Sequence, residues 1–454
     1  MTPRRHARVI AAVALTFLVL AGCSTTSKLF RARPKPAKPF EGQRISLLEL
    51  NDQLKVSPAL EGQDFFLPPP QTQADWPIPG GAPEQSVENV AAAPEFRLAW
   101  KRNFGLKSDR HFHVLAPPVA ADGRIYVMDA AADVSAHDLA TGAQIWRTNL
   151  TPKSKREHQA FGGGLALAGG KLYATSGFRL VAELDPASGH VDWLTRTDAP
   201  IHDAPMAADG RVYAIDVDDE LLTFNAASGA PDWTYQALTE PARMMVASSP
   251  AVSNGTLVAS FASGELVALR SDNGTELWNV PMSRTTRTSA LSEIRDIAGR
   301  PVIYKGDVFA ISHADVMADT DLRTGQVRWT IPVSAFTSPW AAGDVVFAVD
   351  ETGHAICAAR DSGQLYWMTD LDAAPPATRK NKHPKRLRAV WSSPILADGR
   401  LITVSDKGEA VAIDAKTGRV RERLKVGDDA LIGPIAVGGM IYVVTQQADL
   451  IAIR

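Results

Sequence analysis

The chain has 454 residues, 45% hydrophobic and 22% charged, with a formal net charge of −2. That balance carries no strong positive field, which excludes wholesale nucleic-acid binding. Two cysteines exclude a disulfide scaffold and a cysteine-rich metal protein.

At the N-terminus, Arg4, Arg5 and Arg8 precede an uncharged apolar run from Val9 to Leu20. The run is shorter than the roughly 20 residues of a membrane span. It ends at Leu20-Ala21-Gly22-Cys23, small residues followed by a cysteine. Residues 1–22 therefore read as a secretory signal peptide. The same four residues resemble a bacterial lipobox, which implies cleavage before Cys23 and a lipid on its thiol. In that pattern Asp after the cysteine favours the inner membrane, so Ser24 implies the outer one. Removing residues 1–22 takes three arginines and no acid, which leaves a net charge of −5.

Residues 23–93 are expected to be a lipidated, proline-rich tether. Eleven of the 30 prolines lie from Arg31 through Pro94, including Pro68-Pro69-Pro70. Such a segment favours extended polyproline conformations and sustains neither helix nor sheet. Arg44 to Val56 is an amphipathic exception, able to dock on the body or a partner.

A repeat organises residues 94–454. A small-residue–Gly pair is followed four residues later by Trp at Trp146, Trp193, Trp233, Trp278, Trp329 and Trp367. Successive tryptophans are 47, 40, 45, 51 and 38 residues apart. Thr417-Gly418 is a seventh copy, with Glu422 in the Trp place. Before each copy, a turn glycine opens an alternating apolar strand, as in Asp122-Gly123-Arg124-Ile125-Tyr126-Val127. Eight such strands start, the last at Gly439. Glycine is the residue that reaches the positive φ of tight hairpin turns. Four short strands per unit, stacked because none buries both faces alone, predict an all-β, eight-bladed β-propeller of four-stranded antiparallel blades. Length alone suggests about three domains at roughly 150 residues each. The repeat replaces them with one body.

Eight strand starts but seven outer-strand motifs leave the last blade one strand short. Glu95 to Phe104, with Phe96, Leu98 and Trp100 alternating, is predicted to supply it and close the ring.

Chemistry-bearing motifs are sparse, and no catalytic residue, cofactor or metal is expected. His111-Phe112-His113 lacks an evident partner ligand. Phe161-Gly162-Gly163-Gly164 lacks the helix of a phosphate loop. Arg379, Lys380, Lys382, Lys385, Arg386 and Arg388 form a basic run, read as a solvated loop that can meet acidic protein, lipid head groups or other polyanions.

The repeat motif resembles that of quinoprotein dehydrogenases, which bind pyrroloquinoline quinone (PQQ) beside a Cys-Cys disulfide and a calcium ion. Here the only body cysteine is Cys357. A periplasmic PQQ-dependent oxidoreductase is therefore the alternative reading. Lipobox, proline-rich tether and eight repeats together resemble the BamB family, lipoproteins of the outer-membrane β-barrel assembly (BAM) machinery. That resemblance implies a non-catalytic scaffold, lipid-anchored at the periplasmic face of the outer membrane. Its implied partners are a POTRA domain of BamA, other BAM subunits and unfolded outer-membrane proteins. It places the BamA contacts on Arg243, Met244 and Met245 in one interblade loop. In another it places them on Asp296, with Arg295 and Glu293 as neighbours.

Overall fold

The computed structural model describes residues 54–152, 162–240, 244, 248–283, 295–373 and 388–454. Within them, the turn glycines at 123, 170, 210, 255, 306, 343, 399 and 439 all have positive φ, between 59° and 87°. These turns join short strands into eight four-stranded antiparallel sheets. The sheets are the blades of an eight-bladed propeller. In the first, Val119–Ala121 is innermost, followed by Arg124–Met128, Asp133–Asp138 and the outer strand Gln144–Asn149.

Closure follows the expected route. Leu98–Asn103 pairs antiparallel with Asp449–Ile453, supplying the outer strand of the last blade.

The repeat tryptophans are the seams between blades. A Cβ added to Gly189 or Gly229 would lie 2.5 or 2.4 Å from the indole of Trp146 or Trp193 in the preceding blade. The seam therefore needs a residue without a side chain. Five of the six rings also donate Nε1–H to a carbonyl of the next blade, as Trp146 does to Pro186 at 3.0 Å and Trp367 to Ala415 at 2.9 Å, while the buried Nε1 of Trp233 has no such partner. Trp100 fills the same role at the closure, with its ring against Gly142 and its Nε1–H on the Ala140 carbonyl at 2.7 Å.

Glu422 breaks the pattern for a topological reason. The outer strand of the last blade comes from the N-terminal side, so no Thr-Gly turn joins it to the third strand, and a Trp there would have nothing to cover. Instead Arg400 lies over the Phe96 ring at 5.7 Å, donates to the Ala93 carbonyl at 2.7 Å and meets Glu422 at 3.6 Å. Cys357 is fully buried and pairs in register with Trp367, a packing position rather than a reactive one.

The expected tether is corrected from residue 54 onward. Leu54–Arg454 packs as one unit. Val56 bridges Leu365 on the outer strand Leu365–Asp370, and the chain then crosses that blade to Phe66, whose N–H donates to Asp344 at 2.9 Å. Residues 71–93 next run around the inner strands. The Gln73 carbonyl accepts from Gly438, Trp76 exchanges bonds with Ala120, and Pro77, Pro83 and Glu84 accept from Leu167, Val252 and Ile303. Val90 donates to Leu396, and the Glu88 carbonyl accepts from the Trp340 indole. Innermost strands of a propeller leave unpaired N–H and C=O groups along the channel, and such edges seek partners. Proline lacks an N–H but keeps its carbonyl, so a proline-rich chain suits an edge that mainly needs acceptors. Trp76 and Val90 are fully buried there, and Trp76 stacks on Trp340 with centroids 6.2 Å apart. The segment forms no strand of its own, as its prolines dictate, yet it closes one mouth of the channel. The signal peptide, Cys23 and most of the 44–56 amphipathic stretch lie outside the described residues.

Candidate docking face

The other mouth is ringed by two kinds of connection. Turns between second and third strands alternate with the loops that lead from each outer strand to the next inner strand. These loops are irregular, so their N–H groups need acceptors, and buried carboxylates supply them. Asp129 accepts from Leu106, Ala131 and Asp133, and pairs with Arg147 at 2.6 Å. Burial pushes the Asp129 carboxyl above its ordinary value. Asp219 accepts from Ala262 at 3.1 Å and Glu240 at 3.0 Å, tying two blades and a loop. Asp372 does the same for Ala389 and the Trp391 indole.

Two of the predicted contacts meet on this face. The Met244 N–H donates to the Asp296 carboxylate at 2.6 Å, although 52 residues separate them. Asp296 is buried, and Arg295 beside it is exposed on the rim. Ala298, in the same loop, is buried. Met244, Asp296 and Ala298 border a narrow cleft, partly open to solvent. Its walls include His202, Asp203, Asp219, Met244, Asp296 and Ala298. Arg243, Met245 and Glu293 lie outside the described residues.

His202, Asp203 and Asp219 were not singled out from the sequence. A signal was present for one of them. Asp203 stands in the phase where three other blades carry Ser or Thr before the inner strand, in Ser248-Ser249-Pro250, Thr337-Ser338-Pro339 and Ser392-Ser393-Pro394. His313 joins from the next blade. Its N–H donates to the Asp296 carbonyl at 2.9 Å, and its ring meets Glu351 at 3.0 Å. That hydrogen bond holds the imidazole above, and Glu351 below, their ordinary values.

Of the basic run, Arg388 is described. It is exposed and donates to the Thr352 carbonyl at 2.8 Å. Arg379, Lys380, Lys382, Lys385 and Arg386 lie outside the described residues. His111 accepts from Arg110 at 2.7 Å. Among the described residues, no three His, Cys, Asp or Glu side chains converge as metal ligands would. With Cys357 free and buried beside the seam residue Trp367, the described residues do not fit a PQQ site of the quinoprotein kind.

The sequence profile of the family described as outer membrane protein assembly factor BamB matches residues 130–369 and 370–454. The chain belongs to the BamB family. Family relatives span most of its length. The BamB of Yersinia pestis is 23% identical over 377 residues, 82% of this chain and 91% of that protein. The BamB of Escherichia coli is 24% identical over the same shares. The crystal structure of BamB from Moraxella catarrhalis superposes with a TM-score of 0.66 at 15% identity, covering 79% of this chain and 99% of that one. A europium-containing methanol dehydrogenase superposes at 0.64 with 14% identity, covering 82% and 89%. At such identities the structural likeness speaks to the fold alone, and the BamB and dehydrogenase bodies share it.

Proposed function

We propose that this chain is a non-catalytic scaffold of the outer-membrane β-barrel assembly machinery. It is anchored by lipid on Cys23 at the periplasmic face of the outer membrane. It holds a BamA POTRA domain on the loop face and assists the insertion of outer-membrane proteins. The observation that carries this reading is the junction of two distant loops at Met244 and Asp296, inside a family of assembly factors. The carboxylate fixes one loop against the other, so the rim is preorganised before a partner arrives, which lowers the cost of binding. An exposed arginine beside apolar surface is the composition from which binding hot spots are built.

The test is a pull-down of BamA POTRA domains by the mature lipoprotein. An Arg295→Glu, Met244→Ala double variant should bind at least tenfold more weakly while melting like wild type. Undiminished binding by the double variant moves the interface elsewhere. Failure of the wild-type protein to retain BamA removes the scaffold reading itself.

A further inference from the structure

The eight blades place one residue each in a ring around the channel, two residues before the inner strand in seven of them and at Gly164 on the longer strand Gly163–Ala168 in the other. Neighbours in this ring touch. A Cβ on Gly164 would meet the Ala204 Cβ at 2.5 Å, and one on Gly433 would lie 3.0 Å from the Ser393 carbonyl. The Arg300 N–H donates to Ser338 Oγ at 2.8 Å, and the Ser338 N–H to Ser393 Oγ at 2.9 Å. Seven members are a proline, two glycines, an alanine and three serines. The eighth is Arg300.

Arg300 is the exception in charge as well as size. Its side chain is partly exposed, while Nε is buried and has no hydrogen-bond partner. Burial alone draws its pKa down to about 10, so it stays a cation at neutral pH. Two buried carboxylates of the neighbouring loops are turned to other partners. Asp203 meets His202 and the Ser248 N–H, and Asp296 holds Met244. A guanidinium with a buried, unpaired nitrogen is unfavourable unless an anion completes it. The Ser338 and Ser393 oxygens already accept N–H groups, which leaves their own hydroxyl protons to donate.

The far end of this space is closed. Gln85 of the 71–93 segment is fully buried, donates Nε2–H to the Pro250 carbonyl at 2.7 Å and accepts from Gly80 at 2.9 Å. A group that reaches Arg300 therefore enters from the loop face.

We propose that the channel is a blind, anion-binding cup in which Arg300, with the hydroxyls of Ser338 and Ser393, takes a carboxylate or phosphate on a slim group. This site is separate from the Met244–Asp296 cleft and does not depend on BamA binding.

The test uses the mature protein and an Arg300→Gln variant at matched ionic strength. Melting is followed with inorganic phosphate, with a short glycine peptide bearing a free C-terminal carboxylate, and with its amide. Wild type should gain at least 2 °C more than the variant from phosphate or the free-acid peptide, and nothing extra from the amide. A gain from the peptide acid alone identifies a chain terminus as the source, and one from phosphate alone a phosphate group. Equal responses of the two proteins to every probe overturn the proposal. Bromide-soaked wild-type crystals give a reading that needs no variant. An anomalous peak within hydrogen-bonding reach of the Arg300 guanidinium supports the site, and its absence there overturns it.

Discussion

The two mouths of the channel are finished by different chemistry. On one, residues 71–93 lay main-chain bonds along the inner strands and bury Trp76 against Trp340. On the other, single carboxylates such as Asp219, Asp296 and Asp372 pin irregular loops one N–H at a time. The first solution is apolar and cooperative. The second is polar and modular, so one loop can change without its neighbours. A face that must present loops to a partner benefits from the second, and a face that must stay shut benefits from the first.

This contrast predicts unequal sensitivity. The largest effect is expected on the closed mouth. Trp76→Ala removes a fully buried indole and should cost about 3–5 kcal/mol of stability in thermal or denaturant unfolding. An unchanged melting temperature would mean that the segment does not seal the channel in solution.

On the loop face the effects should be smaller and local. Asp219 sits at a φ of 60°, so Asn is the replacement that tolerates the backbone. Asp219→Asn weakens a charge-assisted contact and should cost about 1–2 kcal/mol. Hydrogen exchange should quicken at the Ala262 and Glu240 amides in particular, since both donate to this carboxylate. Faster exchange spread over all blades would contradict the modular picture.

The smallest effect is expected at His313 and Glu351. The histidine is raised from 6.5 and the glutamate lowered from 4.5, each chiefly by their mutual hydrogen bond. The histidine's contribution is complete below 6.5 and is lost as pH rises through its raised value. The glutamate's contribution is complete above 4.5 and is lost as pH falls through its lowered value. The pair therefore stabilises most between those two values. His313→Gln should cost about 1 kcal/mol at pH 6 and measurably less at pH 8.5. A cost that stays flat with pH would show that packing, not charge, matters at this position.

The seams were legible in the sequence because their requirement is local and repeated. A positive-φ glycine followed four residues later by Trp specifies one hairpin, and six of the eight blades repeat it. The closing strand was legible by counting, since one outer strand was missing. At the candidate site, Met244 and Asp296 could be named from the family resemblance, but their direct bond could not, because 52 residues lie between them. His202 and Asp219 were passed over for the same reason. A single Asp or His in a loop carries no period, and its meaning comes from the loop of the next blade.

By itself, the sequence determined the blade count, the closure and the identity of the packing tryptophans. Those follow from alternation, turn chemistry and repetition, which act within a few residues. The tertiary structure alone decided what residues 54–93 do, because a proline-rich chain has no partner until eight inner strands stand in a ring. It also decided that Arg300 stands alone among small residues. Only the closed ring puts those eight positions side by side.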